Sequence, residues 1–420
     1  MKPTHSLSSL EALEDYDHDS IPVEQAKRLI HHFLHPIEGR ETINLRAALH
    51  RTLAEDVTSP MNVPPHDYSA MDGYAVRSAD LKTGAVRFRL VGSSFAGHPF
   101  AGQVSRGECV RIMTGALIPA GCDSVIMQEQ ARAEEDSVII DGRHRPGQNL
   151  RHIGEDMRIG EKVLAQGQMI RPAQMGLLAS LGFSEISVFR KLKVAVFSTG
   201  DELQQPGALL LPGQIYDSNR YTLIGLLHEL AVEVLDMGSV RDDRVSLKAA
   251  LLEAADKADV IITSGSVSVG EADYIRQMLA EIGEVVFWKI AMKPGRPLAY
   301  GKIGDCHFFG LPGNPVAVMV TFQQFARDAL RILMGQTIAP ALTIKAVCVD
   351  AIRKSPGRIE FQRGILSQDA QGRFVVHSTG NQGSGVLSSM SKANCFIVLP
   401  LQLDNLEAGS QVDVQPFVCF

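Results

Sequence analysis

LKVAVFSTGDE (192–202), DVIITSG (259–265) and CHFFGLPGNP (306–315) are three apolar runs, and each ends in a turn that contains glycine. Each run has the length and the branched or aromatic side chains of a buried strand. Strands that alternate with helices predict a parallel sheet with helices on both faces, a three-layer α/β domain. The remaining strands and helices of this alternation are expected at RYTLIGLLHEL (220–230), AVEVLDMGSV (231–240), SLKAALLEAADK (246–257), ADYIRQMLAEIG (272–283), EVVFWKIAM (284–292) and VAVMVTFQQFARDALRIL (316–333).

The chain changes character on either side of this domain. Short β-rich runs such as VRFRLVG (86–92) and SVIIDG (137–142), separated by Gly and Pro turns, predict a mostly β domain inserted before it. Short β runs return at LTIKAVCVD (342–350) and predict a small, barrel-like C-terminal β domain. We therefore expect a multidomain α/β protein with a flexible tail at 1–20, a linking helical or mixed domain at 21–59 and 150–190, the β-rich domain at 60–149, the α/β domain at 191–337 and the C-terminal domain at 338–420.

The composition is ordinary for a globular protein, with 45% hydrophobic and 21% charged residues and a net charge of -6. Nucleic-acid binding is disfavoured because it depends on an excess of Lys and Arg. No apolar run approaches the roughly 20 residues of a membrane helix, and residues 1–20 contain no signal-peptide core. The six cysteines form no CxxC pair, which indicates free thiols in a reducing compartment. These features predict a cytoplasmic protein with neither nucleic-acid nor membrane partners.

Several predicted strand ends are rich in glycine, at the edge where open parallel sheets bind ligands. Glycine permits positive φ and close backbone approach, so that amide N–H groups can point at an anion. Helices that start after Gly270 and Asn314 would add the positive ends of their dipoles. This pattern predicts a site for phosphate or another tetrahedral oxyanion, and the substrate-binding candidates are Ser198, Gly200, Gly265, Ser266, Ser268, Gly270, Pro312, Gly313, Asn314 and Pro315.

The nucleotide-binding and hydrolase motifs of other α/β proteins are missing. Gly265 to Gly270 matches the first half of a P-loop, but Glu271 and Ala272 stand where that motif needs Lys and Ser or Thr. No GxGxxG follows a strand, and GxSxG is absent. The sequence therefore disfavours a P-loop NTPase, a dinucleotide-dependent dehydrogenase and the simplest α/β-hydrolase.

Charged side chains cluster beside the same strand ends. Lys289, Lys293 and Arg296 lie within eight residues, and fixed positive charge there would attract a dianion. Carboxylates that suit Mg²⁺ follow other strand ends, and the candidates are Glu202, Asp242, Asp243, Glu271 and Asp273. For Asp242 a helix N-cap before the 246–257 helix is the alternative role.

Ordered motifs along the chain resemble the molybdopterin molybdenumtransferase family, which includes the E domain of gephyrin. The resemblance runs from about residue 20 to the end. The motifs are SAMDGYA (69–75), RIMTGA (111–116), GEDM (154–157), FSTGDEL (197–203), SVGEADY (268–274), KPGRP (293–297), GLPGNP (310–315), GRIEFQRG (357–364) and GNQGSG (380–385).

The resemblance implies an elongated homodimer of four-domain subunits, whose α/β domain is similar to molybdopterin adenylyltransferase. It also implies an active site between this domain of one subunit and the β-rich domain of the other. Asp72, Thr114 and Asp156 would then be catalytic residues that reach across the dimer. Glu202, Asp242 and Asp273 would line the sheet side.

The implied reaction inserts molybdenum into adenylylated molybdopterin and releases AMP. Molybdate would lie among Lys289, Lys293, Arg296 and the Pro312–Pro315 loop, and Ser384 of the GNQGSG motif would add a substrate-binding residue. Mg²⁺ would be held by Asp242 and Asp273. Further implied partners are molybdopterin adenylyltransferase and the enzymes that accept the cofactor.

One position departs from the family pattern, and two other functions stay open. The family commonly has Gly-Gly-Val-Ser-Val-Gly, where this chain has Ser266 at the second position; Ser would strain a positive φ, or its hydroxyl would bind ligand. The first alternative function is adenylylation of molybdopterin, although that enzyme is typically the single sheet domain. The second is a non-enzymatic scaffold of the gephyrin type, which would not need these acidic and basic loops.

Overall fold

The computed structural model describes residues 20–81, 84–141, 144–265 and 272–417. The central α/β domain is built on a six-stranded sheet, as the alternation of strands and helices predicts. The strand Lys193–Thr199 lies inside this sheet, and its side chains alternate between the two faces. Val194 and Val196 belong to one core, and Ala195 and Phe197 to the other. In spatial order the strands are Glu233–Val240, Lys193–Thr199, Val260–Ser264, Cys306–Leu311, Pro297–Ile303 and Glu284–Lys289.

Helices cover both faces of this sheet. Leu223 and Leu227 pack on the first face, where Val194 and Val196 lie. Leu247 and Leu251 pack on the second face, where Ala195 and Phe197 lie. The π-helical segment Phe322–Ala326 joins two α-helices into one continuous helical stretch on the first face. The α-helices of the domain are Ser218–Glu229, Arg244–Lys257, Ala272–Ile282, Pro315–Thr321 and Arg327–Leu333.

The expectation of a fully parallel sheet is wrong at one edge. The first four strands in spatial order are parallel. Pro297–Ile303 is antiparallel to both of its neighbours, and sequence analysis missed this strand. A tight turn at Gly304 connects it to Cys306–Leu311, so no crossover helix marks it in the sequence. Open sheets often carry such antiparallel edge strands.

The β-rich domain contains a separate six-stranded sheet with its own core around Phe88 and Val138. The segments by which the chain enters and leaves this domain are paired to each other, Tyr68–Ser69 with Leu150–Arg151. The strands of the sheet, in spatial order, are Ser124–Met127, Gly73–Val76, Glu108–Ile112, Val86–Ser94, Ser137–Ile140 and Ala131–Ala133.

The linking region contributes to two cores. The helix Val23–His32 packs in the core of the α/β domain through Ala26 and Ile30. Leu53 and Val188, by contrast, belong to a small core of the linking region itself. In the described stretch from Leu45 to Val57, helical structure is limited to the 3-10 turn Leu45–Ala47. The other elements are the strand pairs Arg40–Asn44 with Glu185–Phe189 and Val57–Thr58 with Lys162–Leu164, and the helix Pro172–Ser180.

The C-terminal domain is a closed five-stranded barrel that is hydrogen-bonded to the α/β domain. The two-residue strand Met292–Lys293 of the α/β domain pairs in parallel with Ile359–Glu360 of the barrel. The barrel strands are Ile344–Cys348, Ile359–Gln368, Phe374–Ser378, Cys395–Leu399 and Gln411–Pro416, with one helix at Leu387–Lys392. A further parallel pair, Leu203–Gln204 with Ile215–Tyr216, lies outside the large sheets.

The cysteines of the described chain are free, as expected: Cys109, Cys306, Cys348 and Cys395 are buried and Cys122 is partly buried. Burial raises the pKa of the Cys306 and Cys395 thiols to about 12, which suits inert core positions rather than nucleophiles. Within the residues that the structure describes, no helix is long and apolar enough to cross a membrane.

Gly301 makes the antiparallel edge possible, because a Cβ there would lie 2.1 Å from the carbonyl oxygen of Glu284. We expect Gly301→Ala to lower the free energy of unfolding by about 1–3 kcal/mol through overpacking, measured by urea denaturation. Gly176→Ala is the matched control, because a Cβ at that helical position has no atom within 4 Å and Ala favours a helix over Gly. Equal stability of the two variants would contradict this account.

Candidate functional site

A pocket of about 350 Å³ opens at the carboxyl edge of the sheet, where the barrel meets the α/β domain. The α/β domain contributes residues 292–297, 312–314 and Ala317 to its wall. The barrel contributes residues 382–384 and Arg358. The lining residues are Met292, Lys293, Pro294, Gly295, Arg296, Pro297, Pro312, Gly313, Asn314, Ala317, Arg358, Gln382, Gly383 and Ser384.

The pocket is electropositive. Lys293, Arg296 and Arg358 line it, and the side chain of Lys293 is 50% exposed. Lys293 Nζ lies 3.4 Å from Glu360 Oε1, whereas among the described residues neither Arg296 nor Arg358 has an ion-pair partner. Only one of the three cations is therefore neutralised, and an anion that entered would find the other two available.

A further cation lies behind this wall. Lys354 is buried, and its ammonium donates hydrogen bonds to the carbonyl oxygens of Ser355, Leu401 and Leu403. Burial is the largest cause that lowers the pKa of Lys354, and the charges of Lys293 and Arg358 act in the same direction. The positive charge at this end of the barrel is thus concentrated around the pocket.

The predicted loop Pro312–Pro315 forms the sheet side of the pocket, and Asn219 fixes its position. Asn219 Nδ2 donates to the Gly313 carbonyl at 2.7 Å and to Ser264 Oγ at 2.8 Å. Ser264 Oγ in turn donates to the Pro312 carbonyl at 3.2 Å. The loop backbone therefore stays open toward the pocket while its carbonyls are satisfied from behind. The sequence pattern did not indicate Asn219, which lies one residue before the expected helix 220–230 and is the second residue of the observed helix Ser218–Glu229.

Two predicted glycines have positive φ angles, and one of them also allows two strand ends to approach closely. A Cβ at Gly265, whose φ is +115°, would lie 2.4 Å from the carbonyl oxygen of Thr199. The ends of these two strands therefore come together because Gly265 has no side chain. Gly200 has a φ of +148°, which favours glycine, and the flexible carboxylate of Glu202 lies against its backbone.

Ser198 has a framework role that the sequence did not indicate. It is buried, and its hydroxyl donates to Asp217 Oδ1 at 2.9 Å. Asp217 also caps the helix Ser218–Glu229 and accepts from Arg220 Nε at 2.9 Å. The Ser198 hydroxyl thus takes part in an internal network, and the predicted substrate contact of Ser198 stays a prediction.

The acidic residues after Val240 divide into two roles. Asp243, not Asp242, is the N-cap, because its Oδ1 accepts from the Val245 and Ser246 amides at 3.0 and 2.9 Å. The Ser246 amide hydrogen bond is the largest cause that lowers the pKa of Asp243. The predicted capping role of Asp242 is therefore wrong. The Asp242 amide instead donates to Asp201 Oδ1 at 3.4 Å, which brings the ends of two neighbouring strands together.

Some predicted site residues lie elsewhere. Lys289 is exposed at the edge strand and is not among the pocket-lining residues, so its predicted role beside the other cations stays a prediction. Pro315 is the first residue of its helix and lies next to the lining residue Asn314. Ser266, Ser268, Gly270 and Glu271 lie outside the described residues, and so does the side chain of Asp273.

The β-rich domain gathers a second group of predicted residues. The amide and hydroxyl of Thr114 both donate to Asp72 Oδ1 at 2.8 Å. The amide hydrogen bond is the largest cause that lowers the pKa of Asp72, so its carboxylate stays ionised. Asp156 is not brought to this pair by the described contacts, because its amide donates to the Val63 carbonyl at 3.0 Å. In the antiparallel pairing of Leu150 with Ser69, the chain toward Asp156 and the chain toward Asp72 leave in opposite directions. Asp72 and Thr114 lie next to strands of a sheet that is separate from the pocket.

Comparison with known proteins covers almost the whole described chain. Residues 21–182 match the MoeA N-terminal region, domains I and II; residues 195–332 match a probable molybdopterin binding domain; residues 345–417 match the MoeA C-terminal region, domain IV. A Haemophilus influenzae protein named molybdopterin molybdenumtransferase is 47% identical over 90% of this chain and 94% of its own length. A Bacillus subtilis protein of the same name is 33% identical over 94% of this chain and 93% of its own.

Gephyrin of Dictyostelium discoideum is also similar, at 35% identity over 93% of this chain and 61% of gephyrin. The crystal structure of a molybdopterin biosynthesis MoeA protein from Pyrococcus horikoshii superposes with a TM-score of 0.83. It is 29% identical and covers 95% of this chain and 100% of its own. The fold expected from the sequence is thereby confirmed, and the chain belongs to the molybdopterin molybdenumtransferase family.

Proposed function

We propose that this transferase inserts molybdenum from molybdate into adenylylated molybdopterin and releases AMP. The observation that carries the proposal is the pocket in which Lys293, Arg296 and Arg358 surround the Pro312–Asn314 loop. It is small, positively charged and lined by backbone, which suits a tetrahedral dianion. The relatives' name, molybdopterin molybdenumtransferase, indicates a reaction that needs a binding site for such an anion.

In this proposal the pocket holds molybdate and the neighbouring strand ends hold the organic substrate. The loop at Gly200 and the strand end at Gly265 have no side chains, so the phosphoanhydride of the substrate can approach the backbone. Asn219 keeps the Pro312–Asn314 loop between the two sites. Catalysis is then mainly positioning and charge stabilisation by fixed groups. No side-chain nucleophile is required.

A magnesium ion fits the described residues at Asp242. The Asp242 amide contacts the carboxylate of Asp201, so two acidic residues meet at adjacent strand ends. Among the described residues no group of three or more His, Cys, Asp or Glu side chains could hold a metal. Mg²⁺ does not need such a group, because it binds through one or two carboxylates plus substrate phosphate oxygens. Asp273 remains the second proposed ligand, and the ion would offset charge on the phosphoanhydride.

We also propose that the protein is a cytoplasmic homodimer whose active site is shared between subunits. Asp72 and Thr114 are fixed to each other at an exposed position of a sheet separate from the pocket. Large apolar side chains are exposed beside the strand ends of the α/β domain, including Leu209 at 93% and Leu211 at 66%. Exposed apolar residues so close together are typical of a surface that another chain covers.

Lys293→Ala tests the function directly. Wild-type protein should release AMP from adenylylated molybdopterin only when molybdate and Mg²⁺ are both present. The variant should need about tenfold more molybdate, because it loses one charge-assisted hydrogen bond to the anion. Lys257→Ala is the control, since that exposed lysine pairs with Glu253 on a helix surface. An unchanged molybdate requirement removes Lys293 from the site, and tight substrate binding without AMP release would favour a scaffold.

Asp242→Ala and Asp243→Ala form a matched pair for the metal. The first variant should lose Mg²⁺-dependent AMP release, because it removes a proposed ligand. The second should keep the Mg²⁺ dependence of the wild type and lose about 1 kcal/mol of stability with its helix cap. Titration of AMP release against Mg²⁺, together with urea denaturation, measures both effects. Loss of Mg²⁺ dependence in both variants would contradict the assignment of Asp242 as a Mg²⁺ ligand.

Subunit mixing tests the shared site. Asp72→Ala and Asp242→Ala should each be nearly inactive, because each damages one half of every site. A mixed dimer would hold one undamaged site, so an equal mixture after subunit exchange should recover about a quarter of wild-type activity. Mixing Asp72→Ala with Thr114→Ala, which damage the same half, should recover none. Recovery in neither mixture would show that each site lies within one subunit.

A further inference from the structure

Arg363 is a cation buried inside the barrel wall with only 1% of its surface exposed. Among the described residues no carboxylate pairs with it. Its guanidinium donates to Ser389 Oγ at 2.9 Å and to the carbonyl oxygens of Asn381 and Gly383 at 3.3 and 2.9 Å. Burial lowers the pKa of Arg363 to about 10, so it remains charged at neutral pH. A buried charge of this kind is costly unless neighbouring dipoles compensate it.

The loop that supplies these carbonyls is also fixed from its other side. The Arg363 amide donates to Gln382 Oε1 at 2.8 Å, and Gln382 Nε2 donates back to the Arg363 carbonyl at 3.1 Å. The Ser384 carbonyl accepts from the Val316 amide at 3.0 Å, which ties the loop to the helix that follows Pro312–Asn314. The orientation of each peptide unit in this loop is therefore determined.

Peptide geometry then sets the direction of two amides. In a trans peptide the C=O and the next N–H point in opposite directions, and the only cis bonds of the described chain precede Pro64 and Pro294. Because the Asn381 and Gly383 carbonyls face Arg363, the N–H groups of Gln382 and Ser384 point away from it. Both residues line the pocket. Within the described residues, neither N–H has an acceptor.

We infer that Arg363 is a positioning residue, which turns two peptide units so that the Gln382 and Ser384 amides donate to an oxyanion in the pocket. Paired backbone N–H groups of this kind form anion-binding concavities. The inference rests on the proposed function, because molybdate is the oxyanion that it supplies. Arg363 itself does not touch the anion; it acts through the loop.

The first test measures the dependence of AMP release on molybdate for Arg363→Lys and Arg363→Met. Both variants lose the hydrogen bonds that Arg363 Nη2 donates to the two carbonyls, so the KM for molybdate should rise roughly tenfold or more. The kcat at saturating molybdate should stay near the wild-type value. Ser389→Ala is the matched control, because it removes the third contact of the same guanidinium and leaves the loop carbonyls bound; its KM should stay within about twofold. A kcat loss with an unchanged KM would overturn the inference and leave Arg363 a purely structural residue.

Amide hydrogen exchange in the wild-type protein provides a second test, which does not depend on whether the variants fold. Molybdate should slow exchange at Gln382 and Ser384, because both amides become donors to the anion. Exchange that does not change there while isothermal titration shows molybdate bound would overturn the role of these amides. If isothermal titration shows no binding of molybdate at all, the proposed function fails instead, so the two failures can be told apart.

Discussion

The short parallel pairing of Met292–Lys293 with Ile359–Glu360 is the constraint on which the pocket depends. It joins the barrel to the sheet domain through backbone hydrogen bonds, and it sets Lys293 directly beside Glu360. Arg358 precedes the paired segment and Arg296 follows it, so one register determines where all three cations lie. A shift by one residue would exchange the faces of the barrel strand and remove this arrangement.

The barrel buries two cationic side chains beside this site, which costs desolvation free energy. Lys354 and Arg363 are both buried and are bound by backbone carbonyls rather than by carboxylates. Carbonyl dipoles compensate the charge without neutralising it, so the positive potential behind the pocket persists. On the sheet side Gly265 has no side chain, and the end of its strand therefore meets the strand end at Thr199.

Local patterns in the sequence were sufficient for much of the fold. A continuous apolar run identified the strand at 193–199, and glycine turns indicated the ligand edge of the sheet. Sequence analysis missed the strand Pro297–Ile303, because a tight turn instead of a helix precedes its partner. The helix cap is Asp243, one residue after Asp242, for which capping was the alternative role; only backbone geometry makes this distinction. The role of Arg358 depends on pairing between residues 67 apart, and the role of Arg363 depends on contacts with residues 18 to 26 positions away; no local pattern encodes either.

The central claim is that molybdate binds where the barrel meets the sheet edge, and anomalous diffraction at the molybdenum absorption edge tests it most directly. Crystals of the full chain soaked in molybdate should give one strong anomalous peak within hydrogen-bonding distance of Lys293, Arg296 and Arg358. The same peak should lie within reach of the Ser384 amide. A peak at another place, such as the Asp242 strand end, or no peak under conditions that support AMP release, would contradict the account.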